Sequence, residues 1–595
     1  MVKRFLTFFV LCSLAIIVNA QMYVQNGNFE TWTFDGDNLP NNWNSFQTAD
    51  GDWASLGYSS DNRQVKKQAY SKDFSGPNGE TSGNCCAIWA RSVWGVVAQG
   101  NLTTGRVHAG ATSATAKNNY NYSDIDGTGG EGITNPGAMK FTGKPDSIVA
   151  WVKFVPKKEL SENNTAKLNA TIHTANEYIS YGLPKYDEAD DTNKGYVVGM
   201  ATNAIGYYKD SNNNYLWQRL SAPFAYKSTE KEPAYILIDV ATNGYPGQGT
   251  ANDYLYVDNI EMVYNYTEPL FVNIKNLEEG EIVGESTTSS TKQVSVGWNG
   301  DGTVNFRLSN FVLQGEDDNM PVGNISIDNL PVTNDKTFTF NGIINIKNGD
   351  STSPMWFGPF LGDIPVVLNG KFNEDYSKVY VSLDIDMTSD DDDDGSRDGE
   401  NGQKVKVHLG YDRAVLSVSD AKYGTFAAPV DITLPEGVTA YKVASVDNTG
   451  VLELTKAADA GETLAAGTAV VVASESPASA EAYFYTTETR TTTDLLTGVY
   501  EPTDITSGYV LQNLDNKVAF YQVSSTDPIT VPANRCYLTA PAGSVKALAF
   551  PDGTLTSISE IQAADEKAVI YDLSGRRVSK ATKGIYIING KKVIK

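Results

Sequence analysis

A chain of 595 residues is too long for one hydrophobic core, and three or four domains are expected. Its formal charge of −24 argues against nucleic acid or an anionic membrane surface as partner, and suits a soluble exported protein. Gly and Tyr are plentiful, His occurs three times and long apolar helical repeats are missing, which predicts an all-β fold rich in turns.

Residues 1–20 read as an export signal. Lys3 and Arg4 form a positive start, FLTFFVLCSLAIIV is the apolar core, and Val18-Asn19-Ala20 supplies a small-residue cleavage site before Gln21. The apolar run is short for a membrane span, and Cys12 lies inside it rather than at its end, which argues against lipoprotein cleavage. With no later segment apolar enough to cross a bilayer, the mature chain is expected to be secreted or held at the cell surface. Cys85, Cys86 and Cys536 remain. Adjacent cysteines rarely bridge each other, so buried thiols are expected ahead of a disulfide or a metal site.

Residues 22–265 form the first unit and carry seven of the nine tryptophans. DYLYVDNIEMVY, 253–264, alternates apolar and polar side chains as a strand with one buried face does. VQNGNFETW, 24–32, reads as a partner strand beside it. Together they bracket a two-sheet β-sandwich of jelly-roll type, with CAIWARSVWGVVAQG, DSIVAWVKFVP, YLWQRLSAPFAY and AYILIDVATN as further strands. NGNFETW, LPNNW, GNLTTGRV, FTGKPDSIVAWVKFVP, WQRLSAPFAY and YLYVDNIEMVY follow the order seen in the carbohydrate-metabolism domain of Bacteroidota surface proteins. The unit resembles that family, which looks like the jelly-roll carbohydrate-binding modules, and the resemblance implies glycan handling.

Residues 268–411 contain eight short alternating runs: VNIKNL, STKQVSVGWNG, TVNFRLSNFVL, GNISIDNLPV, KTFTFNGIINI, DIPVVLNGKF, KVYVSLDIDM and QKVKVHLGYD. Eight antiparallel strands at hairpin spacing suit a small up-and-down barrel. With LSNFVL and PVGNISIDNL as its best local features, the region resembles the calycin-like β-barrel domains of the same bacteria. Residues 412–552, with AGTAVVVASE and VPANRCYLTAP, resemble a β-rich module recurrent near the C-termini of Bacteroidota surface proteins, expected to act as a spacer. In 560–595 a strand, the Arg576-Arg577 turn and a Gly-Ile-Tyr strand resemble the C-terminal sorting domains of type IX secretion. That tail implies attachment at the outer-membrane surface.

A saccharide site on a β-sandwich needs aromatic faces for the C–H side of a sugar ring and polar groups for its hydroxyls. Trp53 and Tyr58 lie in the polar stretch ADGDWASLGYSS, and Tyr120 and Tyr122 in NNYNYSD, so these are the ligand-binding candidates. Each competes with a plain packing role. Trp89 and Trp151, inside alternating strands, are expected in the core. Carbohydrate-binding jelly rolls often hold a structural calcium, and Glu30 and Asp258 could meet as ligands if the first and last strands are neighbours. Hydrogen bonds at caps and hairpins explain the same two carboxylates. Asp390, Asp392 and Asp394, followed by Gly395, take the D-x-D-x-D-G spacing of a calcium loop. Asn401 stands where that loop wants Glu, and Arg397 where it wants an apolar residue, so a solvated acidic loop is the first reading and calcium the second.

No residue is singled out as catalytic. A glycosidase needs two carboxylates about 5–10 Å apart across one sugar, and nothing in the spacing selects a pair. His108, His173 and His408 have no Ser or Cys nearby in a nucleophile setting and form no metal-ligand cluster. The leading reading is a non-catalytic, surface-exposed protein that binds a polysaccharide or other glycan on its N-terminal sandwich. Two others stand beside it: a glycoside hydrolase built on the sandwich, and an adhesive protein whose barrel takes a lipid or a protein.

Overall fold

The computed structural model describes residues 21–551 except 33–38, 59–62, 128–134, 161–164, 181–194, 315–318, 353–354, 390–398, 486–487, 515 and 540–544, together with four short strands after residue 569. The expected export signal and Asp390, Asp392 and Asp394 lie outside the described residues. The fold is all-β, as expected, with only single turns of helix among the described residues. Two compact units divide it, one up to Leu409 and one from Gly410 on.

The first unit begins as two antiparallel sheets. One runs, in spatial order, Val65–Ala69, Asn84–Trp89, Tyr254–Glu278, Ser147–Val155 and Gln218–Pro223. The other runs Ala225–Tyr226, Val197–Ile205, Ala166–His173, Tyr235–Ala241 and Asn101–Thr103. Alternation along each strand sends one row inward. Ile148, Ala150, Val152 and Phe154 of the first sheet share a core with Leu168, Ala170 and Ile172 of the second, and all are essentially buried. Removing a large apolar side chain of this kind from water contributes about 1.5–3 kcal/mol. Trp89 and Trp151 depart from expectation. Each sits one residue out of step with this inward row, so both are half-buried on the opposite face, Trp89 stacked 5.6 Å from Tyr254.

Tyr254–Glu278 is 25 residues long, far beyond an ordinary strand, and it serves two structures. Its first part lies in the sandwich sheet. From Met262 it pairs with Glu281–Trp298, and from Leu270 with Gly402–Leu409. The long strand and those two, with Thr303–Gln314, Asn319–Pro331, Thr337–Asn345, Asp363–Phe372 and Val379–Thr388, make an eight-stranded antiparallel barrel in up-and-down order. All eight runs named from the sequence lie on these strands. The barrel is nearly closed: between Asn319–Pro331 and Thr337–Asn345 there is no ladder, and the isolated bridge Asn324–Lys347 spans the seam.

Inside, Phe306, Phe311, Phe338 and Phe372 are buried to within 1% of full burial. Phe372 lies 5.5 Å from Trp298 and 5.2 Å from Phe338, ring centre to ring centre. This packing is continuous with the sandwich core. Asparagine re-aims the strands at two irregularities. Asn310 has φ 52 at a register shift between Leu308 and Phe311, and Asn259 has φ 46 at the shift between Asp258 and Glu261. Asn tolerates the left-handed conformation that such a bulge can require, so Phe311 still points inward after the extra residue.

VQNGNFETW is not a strand. It forms turns that dock on the bulge of the long strand, where Ile260 N donates to Gly27 O at 2.9 Å. Asn26 N donates to Gly300 O at 2.8 Å in the turn between Glu281–Trp298 and Thr303–Gln314, and the Asn26 amide bonds Thr31 and Asn41. The two backbones come so close that a Cβ on Gly300 would stand 2.2 Å from Gly27 N. The alternating pattern failed here because Asn26 and Gly27 satisfy the backbone locally.

The second unit is also β, with separate cores around Leu416, Phe426 and Val470 and around Leu496, Phe520 and Leu538. Cys536 is buried and free, as are Cys85 and Cys86. Ile570–Asp572, Arg577–Val578, Ile585–Ile588 and Lys591–Ile594 form a small antiparallel sheet in the expected tail. Among the described residues, no helix is long and apolar enough to cross a membrane.

Candidate binding cavity

A cavity of about 600 Å³ opens at one side of the sandwich. Three pieces of chain shape it. Trp53 belongs to the turn after Phe46–Thr48, and its N–H donates to Ala109 O at 2.9 Å. Arg106–Ala109 and Asn119–Tyr122 pair antiparallel, placing His108 opposite Tyr120 with their rings stacked at 4.6 Å. The hairpin Arg91–Val93/Val96–Ala98 turns through Trp94 and Gly95, both with positive φ (49° and 83°). That is the backbone of a tight primed hairpin turn. A Trp in the left-handed region is unfavourable, and the turn holds it there. Trp94 is 72% exposed at the tip and meets Trp53 edge-on at 5.9 Å.

Behind the aromatics lies Asp50. Its Oδ1 is 2.8 Å from His108 Nδ1, and its Oδ2 accepts from Tyr122 OH at 2.7 Å. Burial and this carboxylate push the Tyr122 hydroxyl up, so it stays protonated and donating. The floor is polar and buried. Asp239 Oδ1 accepts from Thr103 Oγ1 at 2.9 Å and from Asn121 Nδ2 at 2.8 Å. Burial pushes the Asp239 carboxyl up, opposed by Lys167 and by its hydrogen-bond donors. Asn101 Nδ2 donates to Asn121 Oδ1 at 3.3 Å. Asn101 Oδ1 and Gln99 Oε1 are buried with no hydrogen-bond partner among the described residues.

Trp53 and Tyr120 therefore line one cavity, although they are far apart in sequence. Tyr122 sits behind it as the donor to Asp50. Tyr58 ends a helical turn, and its side chain lies outside the described residues. Sequence reasoning missed Trp94 and the floor. Trp94 had a usable signal, since Val-Trp-Gly-Val places a turn glycine between two alternating runs. Asn101, Asn121 and Asp239 had none, because only sheet pairing gathers them.

The carboxylates considered for calcium have protein partners. Glu30 accepts from Asn84 N and Asn84 Nδ2, both at 2.8 Å. Asp258 accepts from Tyr70 OH and from Asn259 N, and burial pushes its carboxyl well up. Among the described residues, no three His, Cys, Asp or Glu side chains gather into a metal-binding group. His173 hydrogen-bonds Ser123 Oγ and Thr174 O, and His408 lies on the barrel strand Gly402–Leu409.

Residues 277–408 match the family model of the calycin-like beta-barrel domain. The match covers the barrel strands after the shared one, and leaves the sandwich and its cavity outside. No curated protein and no solved structure matches the chain.

Proposed function

We propose that this is an exported, non-catalytic glycan-binding protein that seats a saccharide in the sandwich cavity. The observation that carries the reading is the union of Trp53, Trp94 and Tyr120 with a buried amide and carboxylate floor. Aromatic faces suit the apolar side of a sugar ring, and fixed polar groups suit its hydroxyls. The hydrogen bonds made by Asp50 and Asp239 are consistent with a binding role. Asp50 is held by His108 and Tyr122, and Asp239 by Thr103 and Asn121, an arrangement that suits fixed acceptors of a binding site. In this reading residues 1–20 direct export, the C-terminal tail serves surface attachment, and the barrel and later β modules carry the sandwich.

Because sandwich and barrel share a strand and a core, the whole mature chain is the object to test. Glycan-array binding followed by calorimetry is expected to find a saccharide ligand, with and without a chelator to reveal any calcium dependence. Trp53→Ala should weaken binding tenfold or more, which corresponds to about 1.4 kcal/mol. Absence of any saccharide ligand, or unchanged affinity in Trp53→Ala, would refute the proposal.

A further inference from the structure

We infer that the cavity selects neutral saccharides and discriminates against uronic and sulfated ones; this rests on the glycan reading above. The inference comes from the direction of the hydrogen bonds across the floor. Asp239 Oδ1 accepts from Asn121 Nδ2. The Asn121 amide is thereby oriented, and its Oδ1 faces Asn101. Asn101 must answer with its Nδ2, leaving its Oδ1 as the outstanding atom of the relay. Asn101 is 8% exposed, so this is a built and nearly enclosed acceptor rather than a surface amide. Gln99 Oε1 is a second buried acceptor in the same wall without a partner among the described residues.

A buried acceptor left unpaired is unfavourable, and a ligand that supplies a donor relieves it. Sugar hydroxyls and amide N–H groups are such donors. A carboxylate or sulfate only accepts, so it would bring lone pairs against lone pairs. Charge points the same way. Lys167 is the lysine among the lining residues, and it already interacts electrostatically with Asp239, so the two offset each other. Asp50 stands directly behind His108, and the chain as a whole carries −24, which opposes the approach of a polyanion.

The test uses the mature full-length chain on matched pairs of oligosaccharides. Each pair shares one backbone, with the hexose C6 either a hydroxymethyl group or oxidised to a carboxylate, and a sulfated version forms a third arm. The expected result is binding of neutral members at least tenfold tighter than their anionic counterparts, with little change in that ratio at raised salt. Asn101→Ala should lose the preference along with most of the affinity, while its melting temperature reports whether the fold persists. Asp239→Asn frees the relay to reverse and should move the ratio toward the anionic members. Equal or tighter binding of the uronate or sulfated forms by the native chain would overturn the inference and leave the glycan reading standing. No binding to any member of any pair would overturn both.

Discussion

Replacing Phe372 by Ala probes whether sandwich and barrel are one cooperative structure. Phe372 is 1% exposed, and its ring packs against Trp298, Phe338, Tyr266 and Tyr376 at centroid distances of 5.2–6.3 Å. Truncating such a ring costs about 3–5 kcal/mol, through lost burial and the cavity left behind. The barrel core is continuous with the sandwich core, and Tyr254–Glu278 runs through both. A unit of roughly 400 residues unfolds with an entropy near 0.8 kcal/mol/K, so about 4 kcal/mol lowers its melting temperature by about 5 °C. Hydrogen exchange read by mass spectrometry gives local resolution. Protection should fall together in the barrel strand Val379–Thr388 and in the distant sandwich strand Tyr235–Ala241. Loss confined to the barrel, with Tyr235–Ala241 unchanged, would show that the shared strand couples nothing.

The barrel seam gives a second test. Gly323 has φ +128, and a Cβ there would stand 2.2 Å from Lys347 O, beside the bridge that spans the gap. Gly323→Ala should open the seam at a cost of about 1–3 kcal/mol, seen as a lower urea midpoint and faster exchange at Asn324 and Lys347. A third concerns acid. His173 is fully buried, and burial pushes its pKa down to about 4. A histidine with a depressed folded pKa stabilises the fold above its ordinary value near 6.5, and that contribution is lost as pH falls from there toward 4. The loss is about 3 kcal/mol over that window. Urea midpoints at pH 7 and pH 4.5 should diverge less in His173→Gln, and an identical divergence would refute the assignment.

The barrel was legible because its constraint is local. Phe306 and Leu308, like Val405 and Val407, alternate with outward residues, and the pleat alone turns that period of two into an inside and an outside. The aromatic part of the site was partly legible for a similar reason: Trp53 and Tyr120 are large rings in polar stretches of sequence, although Tyr120 proves to stand on the strand Asn119–Tyr122 rather than in a loop. Trp89 and Trp151 show the limit, since alternation separates two faces without saying which one is the core. NGNFETW shows another, since its strand-like pattern is overruled by Asn26 bonding its own neighbours and by a bulge more than 200 residues away.

What the sequence by itself determined is the β class, the eight barrel strands and a supply of aromatics in polar stretches, because each depends on neighbours a few residues apart. Only the tertiary structure decided that one strand serves two domains, that Trp94 is lifted on a hairpin to meet Trp53, and that Asp239 orients Asn121 and Asn101. Those relations join residues far apart in the chain, and they exist only once two sheets have paired and closed around a common core.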